Sequence, residues 1–304
     1  MSFRYSRSFI GFTVIIGLVL ATGLTMPAAA QPGGHRMTPT EIDTEHVEHM
    51  IDLEGCRLHA KVYGEGGPTV VLLNGIRAEQ WYWHPIIPAL AGITTVVTYD
   101  RPGYGKSEIG TAPCHALQAA DDLQALLTEL DVPKPYVVVG HSYGCRVARL
   151  FAANHPKDVG AILLEDGQHP GILEAQRAVL TGDDLAHIEQ MVATMSATEN
   201  PRTEFDYIMV STEQSLNCGP LPHVPYTVMI AADRANSAPP MFSPEGREAL
   251  IRVGKELQKE LVALVPDGKE VIVEGAGHII HNDKPEAVVG EISALVEQVR
   301  LRAP

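Results

Sequence analysis

The chain has 304 residues, 45% of them hydrophobic, which suits one large α/β domain or two small ones. Its 37 acidic residues outnumber 23 basic ones for a net charge of −14, a balance that repels nucleic acid and anionic lipid surfaces and removes both from the expected partners. Four cysteines (Cys56, Cys114, Cys145 and Cys218) include no CxxC and no Cys/His spacing suited to zinc, so no metal is expected.

Residues 1–30 have the layout of a secretory signal. Arg4 and Arg7 form a basic start, residues 9–24 are an uncharged apolar run, and "MPAAA" supplies small residues before Gln31. The expectation is an exported protein, periplasmic or secreted, cleaved after Ala30; an uncleaved anchor is the alternative. The run is short for a membrane span and no second one follows, so no stable span is expected once it is removed. Removal takes two basic residues and no acidic one, which moves the charge to −16. After export the thiols meet an oxidising compartment, where one disulfide could form, or two in any of three pairings. Cys145 is expected to be buried, packing as a small apolar group.

Residues 31–44 are polar with Pro and Gly and read as a flexible leader to a domain over 45–304. "EHVEHMIDLEG" and "RLHAKVYGEG" pattern as a hairpin. The runs "TVVLLNG" (69–75), "TTVVTYD" (94–100), "YVVVG" (136–140), "AILLED" (161–166), "YTVMIAAD" (226–233) and "EVIVEG" (270–275) are short, β-branched and nearly continuous in apolar character. Strands buried on both faces of a parallel sheet read in this way. Helical patterns with one apolar face lie between and after them, at 116–130, 247–265 and 285–301. The alternation predicts a doubly wound, mostly parallel sheet flanked by helices. Residues 167–224 break the rhythm: they are mostly helical and predict a cap insertion over the C-terminal edge of the sheet, where open α/β sheets bind ligands.

At the end of one such strand stands "GHSYG" (140–144). G-x-S-x-G carries little information alone, but here it follows a strand and opens a helix, the setting of a nucleophile elbow. The turn is too tight for side chains at Gly140 and Gly144, and it lifts the Ser142 hydroxyl clear of the sheet. Serine needs a base to take its proton. His278, in the Gly-rich loop beyond the last strand, is the candidate; His281, nearer the following helix, is its rival.

These features together resemble the α/β-hydrolase superfamily over nearly all of the chain after the leader. "VVLLNGIRAEQWYWHPIIPAL" resembles the oxyanion segment, "VVTYDRPGYGKSE" the "DxxGxGxS" turn, "GHSYG" the elbow, and "GAGHIIHNDKPEAV" the histidine loop. The resemblance implies the α/β-hydrolase fold and a Ser/acid/His mechanism without cofactor. It implies an oxyanion hole from the backbone N–H groups of Tyr143 and Ile76, although Asn74-Gly75 stands where many relatives carry His-Gly. One of Trp81, Tyr82 and Trp83 lines the pocket or packs in the core.

The acid is open between two positions. Many relatives place it after the penultimate strand, where "IAADRANSAPP" offers Asp233, two residues early, beside Arg234, which would itself pair with a carboxylate. The other position is Asp166, at the tip of the strand after the nucleophile, and it is preferred. Glu165 is a third candidate, but alternation points it away from that face. The expected function is hydrolysis of an ester, lactone or similar small acyl compound. Serine at 142 argues against the alkyl displacement of halide- or epoxide-processing relatives, which use an aspartate nucleophile. Aminopeptidase, acyltransferase and perhydrolase activities remain alternatives on the same fold, as does a non-catalytic binding protein. An aminopeptidase would need cap carboxylates such as Glu174, Glu189 or Glu204, which on cap helices are usually solvated.

Overall fold

The computed structural model describes residues 43–196, 203–236 and 238–302; the expected signal and all but the last two residues of the expected leader lie outside them. Eight strands, β1 (His46–Leu53), β2 (Cys56–Tyr63), β3 (Thr69–Leu73), β4 (Val96–Tyr99), β5 (Tyr136–His141), β6 (Val159–Glu165), β7 (Tyr226–Ala231) and β8 (Lys269–Val273), form one sheet in the order β1-β2-β4-β3-β5-β6-β7-β8. β1 and β2 are the expected antiparallel hairpin, β2 also runs antiparallel to β4, and every other pair is parallel. The helices are α1 (Ile87–Ala91), α2 (Ala116–Leu130), α3 (Gly144–Asn154), α4 (Ile172–Val179), α5 (Gly182–Ser196), α6 (Ile208–Leu216), α7 (Ala232–Ala235), α8 (Pro244–Val262), α9 (Ile280–Asp283) and α10 (Pro285–Arg302).

Alternation along the central strands divides their side chains between two cores. Val71, Val138, Ile162 and Val228 face a layer with Leu123 and Leu126 of α2, Phe151 of α3 and Leu261 of α8. Their neighbours Val70, Leu72, Val137, Val139 and Leu163 face the opposite layer, with Leu90 of α1 and Ile292 and Leu295 of α10. Both faces are therefore dry, which is why these strands carry no polar alternation.

The edge strand differs from the sequence expectation. In β8 the apolar run does not mark burial on both faces: Ile272 is 56% exposed, because β8 closes the sheet at one edge. The run at 226–233 also stops early, its last residues turning into α7.

The stretch between β6 and β7 packs in two directions. Leu173 and Leu180 of the α4 region join Ile188 and Val192 of α5 against Phe242 and Leu250, so α4 and α5 lean on α8. α6 instead lies over the starts of α2 and α3: Ile208 enters the sheet's core, and Ser211 Oγ accepts from the Ala116 N–H at 3.0 Å. Among the described residues no helix is long and apolar enough to cross a membrane.

The two strand environments make a paired prediction. Leu72→Ala, at a wholly buried site in β3, is expected to cost about 2–5 kcal/mol in urea unfolding. Ile272→Ala, on the exposed side of β8, is expected to stay within about 0.5 kcal/mol of the parent protein.

Candidate active site

The chain turns from β5 into α3 with Ser142 at a φ of +52°, left-handed backbone that costs a non-glycine residue roughly 1–2 kcal/mol. Packing on both sides holds it there. A Cβ on Gly144 would lie 2.2 Å from the Leu73 carbonyl oxygen, and one on Gly140 would lie 2.5 Å from the Gly144 oxygen. Only glycine fits at either place. The Ser142 N–H donates to the Glu165 carbonyl at 3.0 Å, and the Cys145 N–H donates to the Ser142 carbonyl at 3.1 Å. Cys145 itself is buried beneath the turn, its thiol 2.9 Å from the Gly140 oxygen.

Ser142 Oγ is 3.0 Å from Nε2 of His278, and Nδ1 of His278 is 2.6 Å from Oδ2 of Asp166. Nδ1–H donating to the carboxylate leaves Nε2 as the acceptor that faces the serine hydroxyl. The parallel register pairs His141 with Glu165, so the residue after each strand end, Ser142 and Asp166, falls side by side. Asp166 is also left-handed, at φ +46°. Its amide donates to the Met229 carbonyl at 2.8 Å, and its Oδ1 accepts from the Ala231 N–H at 3.2 Å.

The competing carboxylate stands elsewhere. Asp233 is exposed on α7, its amide donating to the Ala276 oxygen at 3.3 Å. The element after β7 instead brings Arg234 in: its Nη1 donates to Oδ2 of Asp166, reaches the Asp166 carbonyl at 3.2 Å, and stands against Nδ1 of His278. Burial works against the Asp166 charge, but Arg234 and then His278 outweigh it and hold the carboxyl below its ordinary value. His278 is displaced downward too, by burial first and by the Arg234 charge second, against the opposing pull of Asp166.

A second acid–histidine pair sits behind the first. Glu165 faces away from Asp166, as alternation required, and its Oε1 accepts from both the backbone N–H of His281, at 2.9 Å, and Nδ1, at 2.8 Å. His281 is 1% exposed and stacks on Trp83, ring centroids 4.1 Å apart, so the rival histidine is packed into the core, away from Ser142's hydroxyl. Of the aromatic trio, Trp83 is this core residue, whereas Trp81 and Tyr82 are only partly buried. His141 lies between the two histidines and donates from Nε2 to the His278 carbonyl at 2.9 Å, which steadies the histidine loop. Burial keeps His141 well below its ordinary pKa and hence neutral.

Gly75 packs on the serine: a Cβ there would lie 3.5 Å from the Ser142 Cβ and 2.9 Å from Nδ1 of His141. Asn74, at the position where histidine was the expected residue, donates from Nδ2 to the Tyr99 carbonyl at 3.1 Å. Tyr143 is buried, its hydroxyl 3.2 Å from Ser211 Oγ on α6.

Three contributors escaped the sequence reading. Arg101, 2% exposed, donates to the Asn74 and Gly75 carbonyls at 2.7 Å each. Glu204, expected in solvent, is 3% exposed and accepts from Arg101. His141 stands at an x position of G-x-S-x-G, where the motif asks for no particular residue. Arg101 was visible as a charge in "YDRPG", but its partner lies 103 residues away and no local signal joins them. A cavity of about 20 Å³ lies beside this ion pair, lined in part by Cys56, Cys114 and Asp122, and not over Ser142. Among the described residues no group of three His, Cys, Asp or Glu is placed to hold a metal ion.

Fold order and site together define an α/β hydrolase. Residues 70–291 match the family model for the alpha/beta hydrolase family, and the chain belongs to that family. It is 24% identical over 246 residues to the uncharacterized protein YqjL of Bacillus subtilis, covering 80% of this chain and 89% of that one. It is 24% identical to the 2-(acetamidomethylene)succinate hydrolase of Mesorhizobium japonicum, covering 84% and 98% of the two chains. Among solved structures it resembles the epoxide hydrolase CorEH, with a TM-score of 0.59 and 21% identity over 85% of this chain and all (100%) of that one.

The Arg234 contact makes a sign-definite prediction. A guanidinium beside the imidazole disfavours its protonated form, so Arg234→Gln is expected to raise the pKa of His278. The chemical shift of His278 Cε1–H, followed by NMR against pH, would then titrate at higher pH than in the parent; an unchanged or lower midpoint contradicts the assignment.

Proposed function

We propose that this hydrolase is exported and cleaves a carboxylic ester, lactone or similarly activated acyl compound through an acyl-enzyme on Ser142. The observation that carries the reading is the unbroken relay from Ser142 Oγ through His278 to Asp166, at 3.0 Å and 2.6 Å. His278 Nε2 takes the hydroxyl proton as Oγ attacks the acyl carbon, and Asp166 holds the tautomer and stabilises the imidazolium. The N–H groups of Tyr143 and Ile76 receive the oxyanion, helped by the positive end of the α3 dipole. The imidazolium then protonates the leaving alcohol, and water, deprotonated by the same nitrogen, releases the acid.

The likeness to epoxide hydrolases does not carry their chemistry here. A carboxylate that opens an epoxide forms an ester, which water can cleave; a serine that did so would form an ether with no acyl carbon to attack, and the site would be blocked. Serine at 142 therefore fits an acyl substrate. Two of the three carboxylates offered to an aminopeptidase are engaged: Glu204 is bound to Arg101, and Glu189 accepts from Arg177 at 2.6 Å, while Glu174 is exposed on α4. An acyltransferase or perhydrolase would share the first half of this mechanism and differ only in what accepts the acyl group.

A fluorophosphonate is expected to label Ser142 in the folded protein and no other residue; failure to label removes the reading. Ser142→Ala is expected to lower kcat on an activated ester by about 10⁴-fold or more. Asp166→Asn is expected to cost about 10⁴-fold while Asp233→Asn stays within about threefold. The reverse order would transfer the acid's role to α7.

A further inference from the structure

Arg101 joins three segments that the chemistry needs in register. Its Nη1 donates to the Asn74 carbonyl and its Nη2 to the Gly75 carbonyl, both at 2.7 Å. Its Nε and Nη2 grip the Glu204 carboxylate, the latter at 3.0 Å from Oε2. Its guanidinium carbon lies 5.3 Å from the centre of the Tyr143 ring. Burial works against this charge, yet Glu204 keeps the arginine more firmly protonated than usual.

Peptide geometry turns this into a statement about function. The Gly75 C=O and the Ile76 N–H are the two ends of one planar trans peptide and point in opposite directions. Fixing the oxygen on Arg101 fixes the hydrogen on the other side, and Gly75 packs against Ser142. The second donor segment is held by the same region of the cap. Tyr143 lies under Arg101, and its hydroxyl meets Ser211 of α6. Glu204 lies a few residues before α6, between β6 and β7. Resting on the acyl-hydrolase reading above, we propose that Arg101 and Glu204 are positioning residues for the oxyanion hole. The cap segment at Glu204 aims the Ile76 amide through Arg101, so the cap belongs to the catalytic geometry and does more than cover the substrate.

A purely structural ion pair predicts otherwise, and a double substitution separates the two. Exchanging a buried ion pair for apolar groups of similar size often preserves stability, whereas removing one partner alone does not. Arg101→Met with Glu204→Leu would therefore keep the fold but release both carbonyls. In that folded double variant, kcat on p-nitrophenyl acetate and the rate of fluorophosphonate labelling are expected to fall together by about 10²-fold, with KM within about twofold. A folded double variant with kcat and labelling within about threefold of the parent overturns the inference and leaves the serine mechanism standing. A parent protein that does not label at Ser142 overturns both. Should the double variant fail to fold, Glu204→Gln, which keeps shape and an acceptor while losing the charge, decides instead: a fall in kcat of about tenfold at unchanged KM and thermal midpoint supports the inference, and an unchanged kcat overturns it.

Discussion

β3 and the β5–α3 turn meet backbone to backbone, and this contact constrains every other part of the site. With the Leu73 oxygen 2.2 Å from where a Gly144 Cβ would be, no side chain can enter between the strand that leads to Ile76 and the turn that carries Ser142. The serine and the segment expected to supply an oxyanion donor are thereby one rigid unit. The remaining groups reach that unit from neighbouring strand ends. Asp166 arrives because β6 pairs in parallel with β5, His141 opposite Glu165, and His278 arrives from the loop beyond β8. The left-handed φ of Ser142 and Asp166 is backbone strain held by this packing, and it aims both side chains off the sheet.

The buried carboxylates around this unit each have a partner: Asp166 has Arg234 and the His278 ring, Glu165 has the His281 N–H groups, and Glu204 has Arg101. The buried arginines of α3 are held by neutral acceptors instead, Arg146 by Thr212 Oγ1 and Arg149 by the Ser215 carbonyl at 3.2 Å. An ionised group left alone at such depth would cost several kcal/mol, roughly 3–5 when one partner of a buried pair is removed. The consecutive carboxylates of β6 show how the sheet separates roles: alternation sends Asp166 toward the serine side and Glu165 toward Trp83 and the core. Glu165 binds the backbone of α9 as well as the His281 ring, so it anchors the turn that follows His278. One strand tip thus both orients the histidine and fastens the loop that carries it.

What the sequence made legible follows from the range of the forces involved. Buried parallel strands announce themselves because both faces are dry, and the elbow and the histidine loop are local turns with local glycine requirements. Ser142, His278 and Asp166 could therefore be named from short stretches, with Asp166 preferred for its place at a strand tip. The edge strand misled, because the apolar run at 270–275 reads the same whether a ninth strand covers it or water does. Glu204 misled for a deeper reason. An isolated glutamate among helices is usually solvated, and only the third dimension brings Arg101 to it across 103 residues. Likewise Arg234 is recognisable as a residue in need of a carboxylate, but the sequence does not say which, and the structure gives it Asp166.

That exchange of partners explains why the acid's position and the arginine belong together. With Asp166 already on Nδ1, a second carboxylate at the end of β7 would set two like charges about one imidazole and draw its pKa upward. The chain places Arg234 there instead and turns Asp233 out to solvent. The guanidinium fixes the Asp166 carboxylate through Oδ2 while the Ala231 amide fixes Oδ1, so the acid is clamped from the β7 side on both oxygens. The cost falls on His278, whose imidazolium is disfavoured by the same charge. A base with a lowered pKa is a weaker proton acceptor, but a larger fraction of it is neutral at mildly acidic pH. Under the proposed acyl-enzyme mechanism, Arg234 exchanges basicity for availability, and stabilisation of an imidazolium on His278 rests the more heavily on Asp166.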